Sequence, residues 1–364
     1  MNEKSEFLIS VIIPVFNGDK YLKDCLNILQ NQTFKDKFEI ILINDASTDS
    51  FFEIIKGFKI ENLRIFNFDE NKGQSAARNY GIKKSSGKYV FFMDVDDKIS
   101  LNSLHILFNA SREYDYDYIF SDFERIEDTK NQRVDRYNYS KDMIFSKEQI
   151  LESMQRELFD PTLGHLGLFG CNGRLIKRRI LIENEIFFDE KIRWLEDKTF
   201  AWDVLKYVDK AKYIRDQLYS YYVNPNVKSA IVDSLSKSNT ISLIETILDH
   251  IKKSLKFVGF SDDKIISLNN QGLIFFSIQI LVSISRSISL SKIEVNEGKQ
   301  IRRKIISEII ENKNVSHAIK TYERSPEESF LIPLAIKFKS SFLLEIACNL
   351  RAKKVIKKRR LGKN

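Results

Sequence analysis

The chain has 364 residues, enough to bury a large core, and domains of about 100 to 200 residues each would give two or more folded units. Hydrophobic residues make up 43% of the chain and charged residues 30%, which excludes a disordered or fibrous protein. The formal net charge of +8 belongs to the C-terminus, because residues 336–364 hold ten Lys or Arg and one Glu. The nearly neutral body excludes a nucleic-acid groove, so we expect no nucleic-acid partner.

The cysteines and the apolar segments predict the compartment. Three cysteines that are far apart and share no metal-ligand spacing indicate neither a disulfide framework nor a zinc site; they are Cys25, Cys171 and Cys348. The N-terminus has no apolar leader, and the most apolar stretch, residues 272–284, is short and interrupted by polar side chains. We therefore expect a cytoplasmic protein that does not span a membrane.

The first hundred residues alternate regularly between strand-like and helix-like segments. Apolar runs predict four strands, at 8–14, 38–43, 63–68 and 89–93, and apolar positions at helical spacing predict helices between them. Strands this continuously apolar are typical of a mostly parallel sheet with helices on both faces, which is an α/β fold. Ligands bind such sheets beyond the carboxyl ends of the strands.

Beyond residue 100 the pattern is mixed and then helical. It predicts a helix at 101–113, a strand at 117–122, a polar loop at 127–141 and a helix that begins near Glu196. From about residue 237 onward, apolar residues recur at helical spacing, which predicts a series of amphipathic helices.

Three carboxylates, those of Asp94, Asp96 and Asp97, follow the fourth predicted strand directly. At a buried strand end they repel one another and lose hydration, which is hard to explain unless a cation lies among them. A divalent ion held by one or two carboxylates and by substrate phosphates fits Mg²⁺ or Mn²⁺. Capping of the following helix is the alternative, because acids favour a helix N-terminus. The motif alone leaves both interpretations open.

Two further polar segments follow predicted strands. In the turn at 44–49, Asp45 has a carboxylate suited to accept a hydrogen bond from a base N–H, whereas the later residues of the turn more often cap the next helix. Arg78 lies one turn into the helix that opens near Gly73 and is suited to contact a phosphate or a sugar. A lone arginine is more often a solvated surface residue, so this role also stays open.

The order of the motifs is more specific than any one of them. SVIIPVFNGDKYLKDCLNILQNQTF, INDASTD, NKGQSAARNYGI and GKYVFFMDVDD, in this order and spacing, resemble the N-terminal half of the family 2 glycosyltransferases, which have the GT-A fold. CNGRLIKRRIL and IFFDEKIRWLEDKTF resemble the acceptor-side region of that family. The resemblance covers residues 7–208. It implies a GT-A domain at 1–230, with a nucleotide-binding half at 1–100 and an acceptor-binding half at 101–230. The helical spacing and the C-terminal charge predict in addition a helical region at 231–335 and a basic amphipathic tail at 336–364.

The resemblance also assigns a nucleotide site. Pro14 and Phe16 fall where the family contacts uracil, Asp45 where it binds the uracil N3–H, and Arg78 at the family arginine near the nucleotide. Many members have Tyr in place of Phe16, which would add a hydroxyl contact. The donor that these positions imply is a UDP-sugar, either a UDP-hexose or a UDP-N-acetylhexosamine.

The metal and the catalytic base are assigned in the same way. Asp94 and Asp96 match the DxD motif, with Asp94 near the ribose or sugar and Asp96 on the metal, and Asp97 is a common additional acid at the metal. Asp197, second in the pair with Glu196, matches the catalytic base. A charge at a helix N-terminus is the alternative for Asp197. Many members have Trp where this chain has Asn172, which puts the acceptor contacts in doubt.

The family reaction is an inverting single displacement. A divalent metal, Mn²⁺ or Mg²⁺, and Arg78 would stabilise the departing diphosphate, while Asp197 takes the proton of the attacking acceptor hydroxyl. The implied acceptor is a surface glycan, either a lipid-linked capsule or O-antigen unit or a lipooligosaccharide. The alternative is a non-catalytic nucleotide-sugar or glycan-binding module that keeps the fold.

The C-terminal tail predicts a location for this enzyme. An apolar helical stripe precedes seven cations in residues 351–360, where no acid occurs; the stripe consists of Phe342, Leu343, Ile346, Ala347 and Leu350. Such a helix is typical of segments that lie in the headgroup region of an anionic membrane. We therefore expect a cytoplasmic protein held at the inner face of the cell membrane by its tail. A solvated basic end is the alternative.

Overall fold

The structure is a computed structural model, and it describes residues 7–34, 37–127, 130–132, 139–159, 168, 170–223, 235, 239–291, 293–324 and 329–360. The chain divides into two compact units. Unit 1 comprises residues 1–153, 164–191 and 196–223, and unit 2 comprises residues 154–163, 192–195 and 224–364. All residues predicted to bind the nucleotide, the metal or the acceptor proton lie in unit 1.

A mixed sheet forms the centre of unit 1. Its strands in the described part of the chain are β1 Ile9–Val15, β2 Phe38–Asn44, β3 Leu63–Asn67, β4 Tyr89–Phe92, β5 Lys98–Ile99, β6 Tyr118–Glu127, β7 Lys130–Gln132, β8 Met143–Ser146, β9 Arg174–Lys177 and β10 Lys210–Val223. They follow the order β3-β2-β1-β4-β9-β6-β10-β5, with β7 beside β6 and β8 beside β10. β1 to β4 pair in parallel with one another, whereas β9 runs antiparallel to both β4 and β6.

Helices connect these strands as the apolar spacing predicts. They are α1 Asp19–Gln30, α2 Phe51–Lys56, α3 Gln74–Lys84, α4 Ser103–Glu113, α5 Lys147–Phe159, α6 Arg178–Glu183 and α7 Glu196–Leu205. The α/β prediction is therefore confirmed. The predicted polar loop at 127–141 is partly wrong, because β7 lies within it. The pattern also misses β8, β9 and α5, and the two strands are only four residues each, too short to show a period.

Glycine permits the close approach of α3 to the sheet. A Cβ on Gly81 would lie 2.3 Å from Cγ2 of Ile12 in β1, which is too near for any side chain. Because α3 lies directly on β1 and β2, its N-terminal turn is held at the carboxyl end of the sheet. β1 is fully buried, and so is β2 apart from the partly buried Phe38. Each Val or Ile side chain removed from water contributes about 1.5–3 kcal/mol to holding this arrangement.

Unit 2 consists of helices in the part that the structure describes. They are α8 Thr240–Phe257, α9 Asp262–Ser289, α10 Val295–Glu311, α11 Lys313–Ala318, α12 Leu331–Lys337 and α13 Ser341–Arg360. α9 is long and apolar enough to cross a membrane by length and composition, with a mean hydropathy of 1.5 over 18 residues. The expectation that no segment reaches that length and composition is therefore wrong. However, 67% of this window is buried inside the protein, as in a core helix.

A buried arginine ties three of these helices together. Arg302 of α10 is 2% exposed, and its Nη1 donates to Ser285 Oγ of α9 and to Asn349 Oδ1 of α13. Its Nη2 pairs with the Glu345 carboxylate of α13. α13 also buries one apolar face, formed by Leu344, Ala347, Cys348 and Ala352. The helix of the predicted tail is thus packed into unit 2.

Candidate active site

The loops after β1 and β2 are joined by hydrogen bonds. Asn17 accepts from the Thr48 N–H at 2.9 Å, and its own N–H donates to Ser47 Oγ at 3.0 Å. Asp49 accepts from the N–H of Asp19 at the start of α1 and from the N–H of Phe51 at the start of α2. The later residues of this turn therefore bind helix starts and the neighbouring loop, as the capping alternative predicts.

Backbone strain also lies at this edge of the sheet. Asn17 has a φ of 47° and Ala46 a φ of 59°, and both values lie in the left-handed region. Asn tolerates this conformation, but for Ala it costs roughly 1–2 kcal/mol. Non-glycine residues held in this region cluster at ligand sites, because the surrounding structure must stabilise them. The strained pair therefore supports a binding role for the two loops.

Asp45 is buried and binds the start of α3. Its Oδ1 accepts from the Lys72 N–H at 2.7 Å, and its Oδ2 accepts from the Gly73 N–H at 2.8 Å and from Asn71 Nδ2 at 2.9 Å. Each carboxylate oxygen can accept two hydrogen bonds, so Oδ1 keeps the capacity for one more. Asp45 thus fixes the loop before α3, and a second role toward a base N–H stays a prediction.

Pro14 and Phe16 differ in exposure, although they lie two residues apart. Pro14 is buried in β1, in register with Ile43 of β2. The Phe16 side chain is 51% exposed and follows the end of β1. An aromatic ring exposed at this position could stack on a base, and leaving it exposed costs up to about 1.5–3 kcal/mol relative to full burial. Stacking by Phe16 stays a prediction.

Arg78 and Asp94 form the centre of the site. Arg78 is 2% exposed, and its Nη2 donates to Asp94 Oδ1 at 2.8 Å. Its Nε and Nη1 are buried and have no hydrogen-bond partner among the described residues. Burial alone lowers the pKa of Arg78, but Cys171, Asp94 and Glu196 outweigh this effect and hold the pKa above its ordinary value. Arg78 is therefore a buried cation with two nitrogens available to a ligand, and the alternative of a solvated surface arginine is wrong.

Two residues that the sequence motifs did not single out as functional bind the same carboxylate. Gln74 Nε2 donates to Asp94 Oδ1 at 2.8 Å, and Asn172 Nδ2 donates to Asp94 Oδ2 at 2.8 Å. Asn172 reaches Asp94 because it bridges to Phe92 of β4 just before β9 begins. The residue that stands where relatives have Trp thus contacts Asp94 directly.

Asp97 has internal partners for both of its oxygens. Asp97 is 1% exposed. The Tyr219 hydroxyl donates to its Oδ2, and the Tyr222 N–H donates to its Oδ1 at 2.9 Å. The Asp94 N–H donates to the same Tyr219 hydroxyl at 3.4 Å. Burial and the neighbouring Asp94 raise the pKa of Asp97 well above its ordinary value. Asp97 therefore fixes the acidic loop to β10.

Asp96 is the carboxylate of this loop that accepts no hydrogen bond from another described residue. Burial and the Asp94 charge raise its pKa, so the protein does not balance its negative charge. No group of three or more His, Cys, Asp or Glu in the described part of the chain is arranged to hold a metal. A site with one protein carboxylate, completed by substrate phosphates and water, still fits Mg²⁺ or Mn²⁺.

The second acidic pair opens α7. Glu196 Oε1 lies 3.8 Å from Arg78 Nη1, and burial followed by the Asp197 charge raises the pKa of Glu196 to about 7. Asp197 Oδ1 accepts from the Lys198 N–H at 2.8 Å. The structure therefore brings Glu196, Arg78 and Asp94 together, with Glu196 nearer to the arginine. Which acid takes the acceptor proton stays a prediction.

A ring and an amide support the arginine. The Arg78 guanidinium carbon lies 5.2 Å from the centre of the Phe188 ring, within the range of a cation–π contact. Asn79 anchors the Phe188 backbone, donating to its carbonyl at 2.9 Å and accepting from its N–H at 2.8 Å. Trp194 packs edge-to-face on Phe276 within unit 2, and His165 lies outside the described residues.

Comparison with solved structures identifies the fold. The crystal structure of S. aureus TarS 1-349 in complex with UDP-GlcNAc superposes with a TM-score of 0.64 at 18% identity, covering 98% of this chain and 93% of that chain. Identity this low shows the fold alone. The predicted GT-A fold, with a helical region after it, is confirmed.

Sequence comparison identifies the family. The model of Glycosyl transferase family 2 matches residues 10–184. Glycosyltransferase GlyG of Streptococcus pneumoniae serotype 4 is 31% identical over 59% of this chain and 70% of its own length. The chain belongs to glycosyl transferase family 2, and the predicted class of enzyme, a glycosyltransferase, is confirmed.

The relatives differ in length from this chain. The poly(ribitol-phosphate) beta-glucosyltransferase of Bacillus spizizenii is 30% identical over 68% of this chain but only 37% of its own length. This chain spans 62% of a second curated relative and 34% of a third. What the whole protein binds and transfers is therefore a separate question from its family.

Proposed function

We propose that this protein moves a hexose or an N-acetylhexosamine from a UDP-sugar to a hydroxyl group of a surface glycan, with inversion at the anomeric carbon. The observation that carries the proposal is the buried Arg78 guanidinium, which has two nitrogens without a hydrogen-bond partner among the described residues. Buried donors without partners are costly, about 1–3 kcal/mol each, and an anionic ligand is a natural partner for them.

The start of α3 supports a diphosphate at the same place. Gly73 precedes the helix with a φ of 91°, and no side chain caps the first turn, which also carries no acid. Backbone N–H groups at a helix N-terminus bind phosphate, and Gln74 and Arg78 of this helix both contact Asp94. The first turn of α3 and Arg78 would thus hold the diphosphate and stabilise its charge as it leaves.

The loops after β1 and β2 would hold the uridine. Phe16 offers an exposed ring for stacking, Pro14 supports the loop from below, and Asp45 Oδ1 retains one acceptor position for the uracil N3–H. Asp94, already oriented by Arg78, Gln74 and Asn172, would face the ribose or the sugar. These roles follow the family pattern, and the preorganised carboxylates are consistent with them.

Asp96 would hold a divalent cation, Mn²⁺ or Mg²⁺, with Asp94 or Asp97 contributing less because other groups already bind their oxygens. Such an ion supplies Lewis-acid stabilisation of the leaving diphosphate. Burial and then the Asp94 charge raise the pKa of Asp96, and this supports the assignment, since a cation would stabilise the charged carboxylate against both effects.

The acid pair of α7 would deprotonate the acceptor. Asp197 is the proposed base, which takes the proton from the attacking hydroxyl, and Glu196 would position Arg78. The acceptor is a surface glycan: a lipid-linked capsule or O-antigen unit, a lipooligosaccharide or a teichoic acid. The named activity of the Bacillus spizizenii relative adds poly(ribitol phosphate) to this class. We further propose that the enzyme works at the inner face of the cell membrane, where such acceptors are assembled.

Metal-dependent UDP release from a panel of UDP-sugars, including UDP-GlcNAc, tests the proposal. Asp96→Asn should abolish turnover, and excess chelator should do the same to the unaltered protein. Asp69→Asn is the matched control, because Asp69 is an exposed acid outside the proposed site. Full turnover by the Asp96 variant would refute the metal assignment. UDP-sugar binding without turnover on any acceptor would instead identify a non-catalytic binding module.

A further inference from the structure

Exposed apolar side chains are concentrated in one short segment of unit 2. Eighteen large hydrophobic side chains are exposed in the described part of the chain, and seven of them lie between residues 330 and 350. The seven are Phe330, Leu331, Phe338, Phe342, Leu343, Ile346 and Leu350. Phe338 and Phe342 have the largest exposed fractions of the set, 68% and 72%. Isolated exposed apolar residues are ordinary, but a concentration like this marks an interaction surface.

These side chains are not the ones that hold α13 in place. Leu344, Ala347, Cys348 and Ala352 recur at helical spacing on the buried face of the helix. Phe342, Ile346 and Leu350 recur at intervals of four on the other face, and they are exposed. The predicted stripe is therefore wrong in one member, because Ala347 lies on the buried face. α13 therefore has two apolar faces: one is buried by packing within unit 2, and the other is exposed.

Cations border the exposed face. Lys337 and Lys339 lie in and after α12, and Lys353, Lys354 and Lys357 lie in the later turns of α13; all five are exposed. The only acid between residues 330 and 357 is Glu345, and its carboxylate is already paired with Arg302. We call the seven apolar and five basic side chains together the α12–α13 face. Its positive charge has no counterpart within the segment.

We propose that the α12–α13 face docks on the surface of an anionic lipid bilayer. Apolar side chains that enter the headgroup region and lysines that contact anionic headgroups act together in such docking. A second copy of the same chain fits less well, since a symmetric contact would bring ten lysines together without compensating acids. A lipid surface satisfies both features of the face at once.

This inference deepens the membrane location given in the proposed function and identifies the surface and the lipid class. The predicted anchor was the tail at 336–364 alone. The proposed docking surface also includes side chains of α12, and α13 is packed into unit 2 by its other face. Deleting residues 337–364 would therefore remove the buried side chains of α13 and two of the three partners of Arg302, so substitutions on the exposed face are the sharper test.

The experiment measures co-sedimentation of the full chain with vesicles of phosphatidylcholine, with and without phosphatidylglycerol. Phe338→Ser combined with Phe342→Ser and Ile346→Ser should abolish most of the binding to anionic vesicles. The control combines Phe257→Ser with Ile266→Ser, because these two side chains are 57% and 58% exposed on other helices of unit 2. The control should bind as the unaltered protein does.

A second variant tests the charge. Each lysine near an anionic surface strengthens binding by about fivefold, so Lys353→Gln, Lys354→Gln and Lys357→Gln together should weaken it by about 10². High salt should also weaken the binding of the unaltered protein to anionic vesicles, because it screens the attraction between lysines and headgroups. Binding should be weak on vesicles of phosphatidylcholine alone.

Three results would overturn the proposal. One is equal sedimentation of the control and the Phe338, Phe342 and Ile346 variant. Another is equal binding to both kinds of vesicle. The third is a self-association, seen by analytical ultracentrifugation, that the apolar substitutions abolish while no vesicle binding is found; this would assign the face to a second copy. UDP release by the same variants is measured in parallel, so failure of docking is distinguished from failure of the proposed catalysis.

Discussion

The two units each contain a buried arginine, and the two arginines are used differently. Arg302 in unit 2 and Arg78 in unit 1 are both 2% exposed. Arg302 donates to three side chains on two other helices, and only its Nε has no hydrogen-bond partner among the described residues. Arg78 has one carboxylate at hydrogen-bond distance and a second at 3.8 Å, and its Nε and Nη1 have no hydrogen-bond partner among the described residues.

This difference separates a structural ion pair from a ligand site. Unit 2 satisfies most of the hydrogen-bonding capacity of its arginine, so that residue holds helices together. Unit 1 keeps two nitrogens of Arg78 and the Asp96 carboxylate buried or half-buried without hydrogen bonds to other described residues. This costs stability and is expected where a charged ligand completes the site. Substitutions in the two units should therefore affect different measurements.

The largest effect is expected at the proposed base. Asp197→Asn should lower transfer by about 10²–10⁴, because the acceptor hydroxyl loses its proton acceptor, while UDP binding is retained. Single-turnover transfer and UDP titration measure the two properties. Asp69→Asn is the control, since Asp69 is an exposed acid outside the proposed site. Retained transfer would reassign Asp197 to the helix N-terminus, and an equal loss in Glu196→Gln would move the base by one residue.

Arg78→Met tests the comparison directly. Removing a preorganised donor to developing charge typically lowers the rate by about 10²–10³, and we expect that loss in transfer together with weaker UDP binding. The free energy of unfolding should change less than in Arg302→Met, because Arg78 makes one side-chain hydrogen bond and Arg302 makes three. Denaturation by urea and UDP release give the two values. A loss of stability without a loss of transfer would make Arg78 a second structural arginine.

Arg302→Met should lower stability and leave transfer unchanged, the opposite of what we expect for Arg78→Met. The loss of its hydrogen bonds to α9 and α13 is expected to lower the free energy of unfolding by about 2 kcal/mol, since hydrogen bonds to charged groups contribute at this level. UDP release by the folded fraction should be unchanged. The comparison fails if this variant is as stable as the unaltered protein but has lost its turnover.

The smallest effect is a difference in pH dependence. The raised pKa of Glu196 means that the folded state holds a proton which the unfolded state has lost between the ordinary value of 4.5 and about 7. The stabilising contribution of the neutral acid is thus complete below 4.5 and is lost as the pH rises through 7. Glu196→Gln should therefore become more stable than the unaltered protein as the pH rises through this range. Melting temperatures at each pH, without donor, measure the difference, and parallel curves would contradict the assignment.

Much of the site was predictable because its residues follow buried strands. Asp45, Asp94, Asp96 and Asp97 come directly after apolar runs, and the carboxyl ends of parallel strands meet at one edge. Arg78 and the α7 acids were located by the order of the family motifs. These are local signals, and the family match over residues 10–184 confirms the fold and the class of enzyme that they imply.

Contacts between distant segments could not be predicted in this way. Asn172 lies 78 residues from Asp94, and Tyr219 lies 122 residues from Asp97. Both contacts depend on strands β9 and β10 joining the sheet beside the acidic loop. A polar side chain has no periodicity that reveals such a partner, so neither residue was singled out for its partner in the acidic loop.

The sequence by itself determined the alternation of strands and helices, the acidic strand ends and the cationic C-terminus, because each depends on residues near one another in the chain. Tertiary structure alone decided which carboxylates are already bound by internal donors and which apolar face of α13 is buried. The physical reason is that hydrogen-bond saturation and burial are properties of neighbours in space. Asp96 and Asp97 are adjacent in the chain, and only the fold gives one of them Tyr219.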